Sequence, residues 1–419
     1  MGTRYFRKTF GSILRANNGI GPGFDLLRLA LAVAILVAHV ARIGGTRGPI
    51  PSLVELILGL FGHAPPLFVA PVAATDFREV VNEGTPWLRP IVITHVPMFF
   101  ALSGFLVTGS AFRTKHVIPF LTLRFFRIFP ALCVEVALSA LVIGTIFTIL
   151  PLREYYSDGK FYTYFGNILG IVQMQLPGVT FWRYEADVVN ANLWTLPSEF
   201  YCYLILAGMI ATGLVFNRTV CTAVFVVASL SLVVANVFFG FDNQPWILVS
   251  NVNVYYFFMG CMFFHWRDHI PYSGLLLALC IPITYVLEFS TRAVFIVPAF
   301  VTYITIFIGM SNFPRSKLLQ SGDYSYGIYL YGFPIMQALV TSVPYVRGKF
   351  FVFAGITLLL TFGFAFLSWH LVEKRFLKLR RHFSFQSAKV SVAPPSEMLS
   401  HGDVGIPSSP QVGTKSEPR

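Results

Sequence analysis

The chain has 419 residues, 55% of them hydrophobic and only 12% charged, with a net charge of +12. A mean hydropathy of +0.67 excludes an ordinary soluble domain, in which about a quarter of residues are charged. The basic excess reads as the orientation signal of a membrane protein rather than as a nucleic-acid surface, so no nucleic-acid partner is expected.

Apolar runs long enough to cross about 30 Å of hydrocarbon fall near residues 24–43, 91–111, 130–150, 193–216, 219–239, 246–264, 274–290, 293–311, 324–343 and 350–371. The expected fold is all-α and polytopic, with ten transmembrane helices in a bilayer. Arg4, Arg7, Lys8 and Arg15 precede the first span, and Lys374, Arg375, Lys378, Arg380 and Arg381 follow the last, which puts both termini on the cytoplasmic side. Residues 1–23 form a cytoplasmic segment, 24–383 the membrane domain, and 384–419, rich in Ser, Pro and Gly, a disordered cytoplasmic tail.

The first span has no small-residue cleavage pattern and is expected to be retained. It carries Arg28 and His39, 11 residues apart, which places them on one helix face roughly 16 Å apart along the axis. Lipid exposure of such groups at mid-depth costs several kcal/mol, so the stripe is expected to face the bundle interior. The connections 44–90 and 151–192 fall on the outer side as a candidate lid, and 53–61, which contains Glu55, is too short to span and reads as an interfacial or re-entrant helix. Cys133, Cys202, Cys221, Cys261 and Cys280 lie in or beside spans without a C-x-x-C pair, so neither a disulfide framework nor a metal site is expected.

Several motifs follow one another in order. Asp25, Arg28 and His39 open the first span; Phe99-Phe-Ala-Leu-Ser103-Gly-Phe-Leu106 lies in the second. Leu123-Arg124-Phe-Phe-Arg127-Ile-Phe-Pro130 precedes the third, and Val189-Asn-Ala-Asn-Leu-Trp194-Thr-Leu-Pro-Ser-Glu199-Phe-Tyr201 leads into the fourth. Ser325-Tyr-Gly-Ile-Tyr329-Leu-Tyr and Leu371-Val-Glu373-Lys-Arg-Phe close the series. In this order the motifs, from about Phe24 to Arg381, resemble the acyltransferase type 3 family of integral-membrane acyltransferases, many of which O-acetylate bacterial polysaccharides. One departure is that Gly332 stands where many members carry a histidine, so no role for a second histidine is carried over.

The resemblance implies acetyl-CoA as acyl donor, a glycan or lipid-linked glycan as acceptor, and a bacterial inner membrane as location. Within that chemistry an imidazole suits removal of the hydroxyl proton, and His39 is the candidate base or acyl carrier. Glu199 is its expected acid partner, because counting residues from the two membrane faces gives both similar depths. Arg28, Arg124 and Arg127, near the inner face, are candidates to clamp the donor phosphates. Plainer roles stand beside these: packing for His39, helix-start capping for Glu199, snorkelling for Arg28 and interfacial anchoring for Arg124 and Arg127. Ser103, Tyr326 and Tyr329 are read as packing residues, Trp194 and Tyr201 as markers of the outer interface and the bundle interior with sugar stacking as the alternative for Trp194, and Glu373 as the anchor of a salt bridge. A secondary transporter or glycan flippase would also bury ionisable groups, but it favours paired broken spans in repeated halves, which this sequence lacks. A non-catalytic partner in a polysaccharide-export assembly is a third reading.

Overall fold

The computed structural model describes residues 8–45, 89–182, 186–239, 245–290, 293–313 and 321–383. The expected helix at 53–61, nearly all of the 44–90 connection and the 384–419 tail lie outside them. Among the described residues there are helices and two isolated bridges but no strand.

A short helix α1 (Phe10–Ala16) is capped by Thr9, whose side chain accepts from the Ser12 amide. It sinks the fully buried Phe10 among Tyr272, Tyr303 and Phe263. The long helices follow: α2 (Phe24–Ile43), α3 (Arg89–Thr114) and α4 (Val117–Leu138), the last extended by a π turn over Ser139–Ile143. Two short helices, α5 (Leu152–Ser157) and α6 (Gly159–Tyr164), build the next connection. Then come α7 (Leu196–Ala211), α8 (Arg218–Phe239), α9 (Pro245–His265), α10 (Gly274–Leu287), α11 (Val297–Met310), α12 (Ser325–Ser342) and α13 (Phe350–Ser368), and a π turn over Trp369–Glu373 leads into α14 (Lys374–Phe383).

Among the described residues, six helical stretches are long and apolar enough to cross a membrane: Phe24–Ile43, Pro90–Thr114, Val117–Phe147, Ala191–Ala211, Arg218–Ala235 and Phe350–Leu379. Helices α9, α10, α11 and α12 occupy the four remaining runs predicted from hydropathy. The protein is an all-α polytopic membrane protein. Its periphery fits a lipid solvent: only 6% of the α8 span is buried, and Val224, Val227, Leu230 and Phe238 are exposed.

Small residues set the closest crossing. A Cβ on Gly104 of α3 would lie 1.8 Å from the Phe257 carbonyl oxygen of α9, and one on Gly260 of α9 would lie 2.1 Å from that of Ala101. The two backbones therefore touch, as interhelical packing in lipid favours.

The 151–192 connection is packed rather than open. Tyr155 and Tyr164 are fully buried, and the Tyr155 hydroxyl donates to the Ala140 carbonyl across 2.6 Å. The chain then descends into the bundle before α7 begins. Asn190 Nδ2 donates to Glu135 Oε1 of α4 (2.8 Å) and to the Leu330 carbonyl of α12 (3.0 Å), and Asn192 Nδ2 donates to the Tyr329 carbonyl. Irregular backbone is tolerated at this depth because it is buried in protein and its polar groups find partners there.

Candidate active site

Charged side chains from five segments meet near the start of α2, the end that the sequence reading assigns to the cytoplasm. Arg124 and Arg127 are three residues apart on α4, and the helix containing them starts at Val117, so both arginines lie inside it rather than in a connecting loop. Arg127 Nη2 lies 2.6 Å from Asp323 Oδ2, just before α12, and its Nη1 lies 3.3 Å from Glu373 Oε2, in the π turn after α13. Arg28 Nη1 approaches the same Asp323 oxygen at 3.5 Å and Asp25 at 3.7 Å. Glu373 is 2% exposed, and Ser368 Oγ donates to its other oxygen.

Asp323 also ties the start of α12. The Ser325 hydroxyl and amide both donate to its Oδ1, the geometry in which an acid satisfies amides left open at a helix N-terminus. Burial alone would push the Asp323 carboxyl up, but Arg127 and Arg28 overcome it and hold the group below its ordinary value, so it is a carboxylate at neutral pH.

Glu199, in the first turn of α7, accepts a hydrogen bond from the Tyr203 hydroxyl. Ser103 bonds to that same hydroxyl, and the Arg124 guanidinium sits 5.9 Å from the Tyr203 ring centre while Nη2 donates to Ser110. Glu199 lies in the field of Arg127, Arg124 and Arg28. Three guanidinium groups therefore share one region with the carboxylates of Asp323, Glu373 and Glu199. A cavity of ≈ 180 Å³ borders it, lined by Asp25, Ser321, Asp323, Tyr324 and Trp369 among others. Among the described residues no cluster of three His, Cys, Asp or Glu side chains is placed to hold a metal ion.

His39 stands apart. Its ring meets Phe333 of α12 edge-on, with centroids 5.2 Å apart, and the charge of Arg42, one turn further along α2, is near it. Helix α12 serves as a ruler: Tyr326 and Tyr329 lie in the electrostatic field of Glu199, whereas His39 packs on Phe333. The two levels differ by four to seven residues of α12, roughly 6–10 Å. The structure thus joins Glu199 to Arg28, Arg124 and Arg127 and does not bring it against His39. The depth count erred because it took α7 to enter from the outer surface near Ala191. The 3₁₀ turn at Ala191–Thr195 is already deep, held by Asn190 and by the Thr195 and Tyr329 hydroxyls at 2.7 Å.

Between the levels lie Tyr329, Thr195 and Phe99, whose ring is 6.4 Å from that of Tyr329. Gly332 packs against α2: a Cβ there would be 2.5 Å from Leu36 Cδ1, one turn before His39. The position that carries a histidine in many similar chains thus adjoins the His39 level.

Sequence reasoning missed Asp323, Tyr203 and Glu135, and quoted Asn190 within a motif without giving it a role. Glu135, 1% exposed, accepts from both Ser139 Oγ and Asn190 Nδ2. It is the one acid in its apolar run, a signal that could have found it. Asp323 sits two residues before a quoted motif and was hidden only by where that motif was cut.

Comparison with known proteins bears on this geometry. The sequence profile of an acyltransferase domain matches residues 22–370, a range that spans both levels. An O-acetyl transferase of Shigella phage Sf6 is 27% identical over 365 residues, covering 84% of this chain and 95% of that protein. Nodulation protein 10 of Rhizobium leguminosarum bv. viciae is 30% identical over 318 residues, covering 71% of this chain and 85% of its own length. No solved structure matches. This chain belongs to the acyltransferase type 3 family and is a membrane acyltransferase.

Proposed function

We propose that the protein is an inner-membrane O-acetyltransferase that moves an acetyl group from cytoplasmic acetyl-CoA to a hydroxyl of a cell-surface or exported glycan. The observation that carries this reading is the two-level arrangement on α2. Arg28 joins a cation cluster at one end, and His39 lies on the same helix face nearer the other. The name of the phage relative, an O-acetyl transferase, supports the acetyl group and the oxygen acceptor.

In this reading Arg28, Arg124 and Arg127 hold the donor phosphates, guanidinium being suited to bidentate phosphate contacts. Glu199, through Tyr203, fixes the Arg124 side of that site instead of orienting His39. His39 takes the proton from the acceptor hydroxyl as its oxygen bonds to the thioester carbonyl carbon, and returns a proton to the sulfur as the C–S bond breaks. Alternatively, His39 carries the acetyl group transiently between a cytoplasmic thiol and an outer hydroxyl. Both routes place the chemistry at His39 and leave the protein unchanged after turnover.

The test is His39→Ala, compared with wild type at matched levels of inserted protein by acetyl labelling of the surface glycan. Loss of a general base costs about 10²–10⁴-fold, so labelling above about a tenth of wild type would remove His39 from the chemistry.

A further inference from the structure

We propose that Asp323 sets donor affinity at this site by occupying Arg28 and Arg127 in the place of a donor phosphate and giving way when the donor binds. This rests on the reading of the arginines as the phosphate site. Asp323 already pairs with both Arg28 and Arg127. A pyrophosphate arriving at those two guanidinium groups must either tolerate the carboxylate at close range or displace it.

The structure distinguishes the two carboxylates bound directly to Arg127. Glu373 is 2% exposed and also fixed by Ser368. Asp323 lies in the turn before α12, its side chain 23% exposed, and it lines the cavity beside the cluster. Its Oδ2 bridges Arg28 and Arg127, while only Oδ1 is held by Ser325. Rotation of this one side chain would release both guanidinium groups from Asp323, leaving Arg28 beside Asp25 and Arg127 paired with Glu373.

A competing carboxylate has a use in an acyl transferase. Donor and product carry the same phosphates, so binding through them is uniform and does not accelerate the chemical step. Competition by Asp323 weakens both and lets the thiol product leave.

Acetyl-CoA and free CoA would be titrated separately into purified wild type, Asp323→Asn, Arg28→Ala and Arg124→Ala. Asparagine keeps a side-chain acceptor for Ser325 but removes the charge. The expected result is tighter binding of both ligands by Asp323→Asn, about fivefold or more, slower dissociation of CoA, and weaker binding by both arginine variants. Unchanged or weaker binding by Asp323→Asn, with weaker binding by the arginine variants, overturns the role of Asp323 and leaves the phosphate site standing. Wild-type affinity in both arginine variants overturns the phosphate site, and the competition with it.

A second measurement avoids substitution. Hydrogen exchange on wild type should show the Ser325 amide, which donates to Asp323, losing protection when CoA is added. Unchanged or increased protection there contradicts displacement of Asp323.

Discussion

The Arg127 level and the His39 level are built in opposite ways. At the first, α2, α4, the start of α12 and the end of α13 are cross-linked by ion pairs of 2.6–3.5 Å. At the second, the His39 imidazole meets the edge of the Phe333 ring, with the charge of Arg42 near it. Charge in lipid is retained where it is compensated, so the first level holds helices together while presenting cations to a ligand. The second sets one titratable ring against an aromatic side chain. Stability and chemistry are therefore separable by substitution.

The largest loss of stability should come from Arg127→Ala, which leaves Glu373, 2% exposed, without its cation. Breaking a buried pair from one side costs about 3–5 kcal/mol. Thermal unfolding in detergent should show a large fall in Tm, or no folded protein recovered. A Tm equal to wild type would mean that the ion pairs do not brace the bundle.

The middle of the molecule should respond less, and in a way that depends on shape. Glu135→Gln keeps an oxygen acceptor for Ser139 and Asn190 and should stay close to wild type. Glu135→Leu takes from the fully buried Asn190 amide one of its two acceptors, the other being the Leu330 carbonyl, and should cost about 1–3 kcal/mol. Loss of glycan labelling should accompany that destabilisation, because Asn190 fixes the turn that leads into Glu199. Equal behaviour of the two variants would show that the descending segment is held by something else.

The smallest stability change is expected at His39 itself. His39→Ala removes a half-buried ring whose described contact is Phe333, so Tm should fall by no more than a few degrees while labelling collapses. A fall as large as that of Arg127→Ala would place His39 among the bracing residues and blur the contrast between the levels.

Much of this arrangement was legible in the chain. Arg28 and His39 are on one helix because an uninterrupted apolar run joins them, and α2 has the predicted bounds of Phe24–Ile43. The pairing of Asp25 with Arg28 follows from helical spacing, and the packing read for Ser103 falls beside Gly104, where α3 touches α9. The start of α4 was misplaced by about a dozen residues because Arg124 and Arg127 look like interfacial charge until Asp323 and Glu373, some 200 residues later in the chain, supply their partners. The depth of Glu199 failed for a related reason. Hydropathy counts residues in helices, and it cannot count a descent made in irregular backbone that is anchored by the Asn190 and Asn192 side chains on Glu135, Leu330 and Tyr329.

The most direct test of the two levels is the position of Glu199. In a background with Cys133, Cys202, Cys221, Cys261 and Cys280 replaced, Glu199→Cys would be combined in turn with Arg124→Cys and with His39→Cys, and each pair treated with a short bifunctional thiol reagent in native membranes. The account predicts efficient cross-linking of 199 to 124 and little or none of 199 to 39, because roughly 6–10 Å of bundle depth separates Glu199 from His39. Efficient linking of 199 to 39 with none to 124 would contradict it and restore Glu199 as the partner of the imidazole.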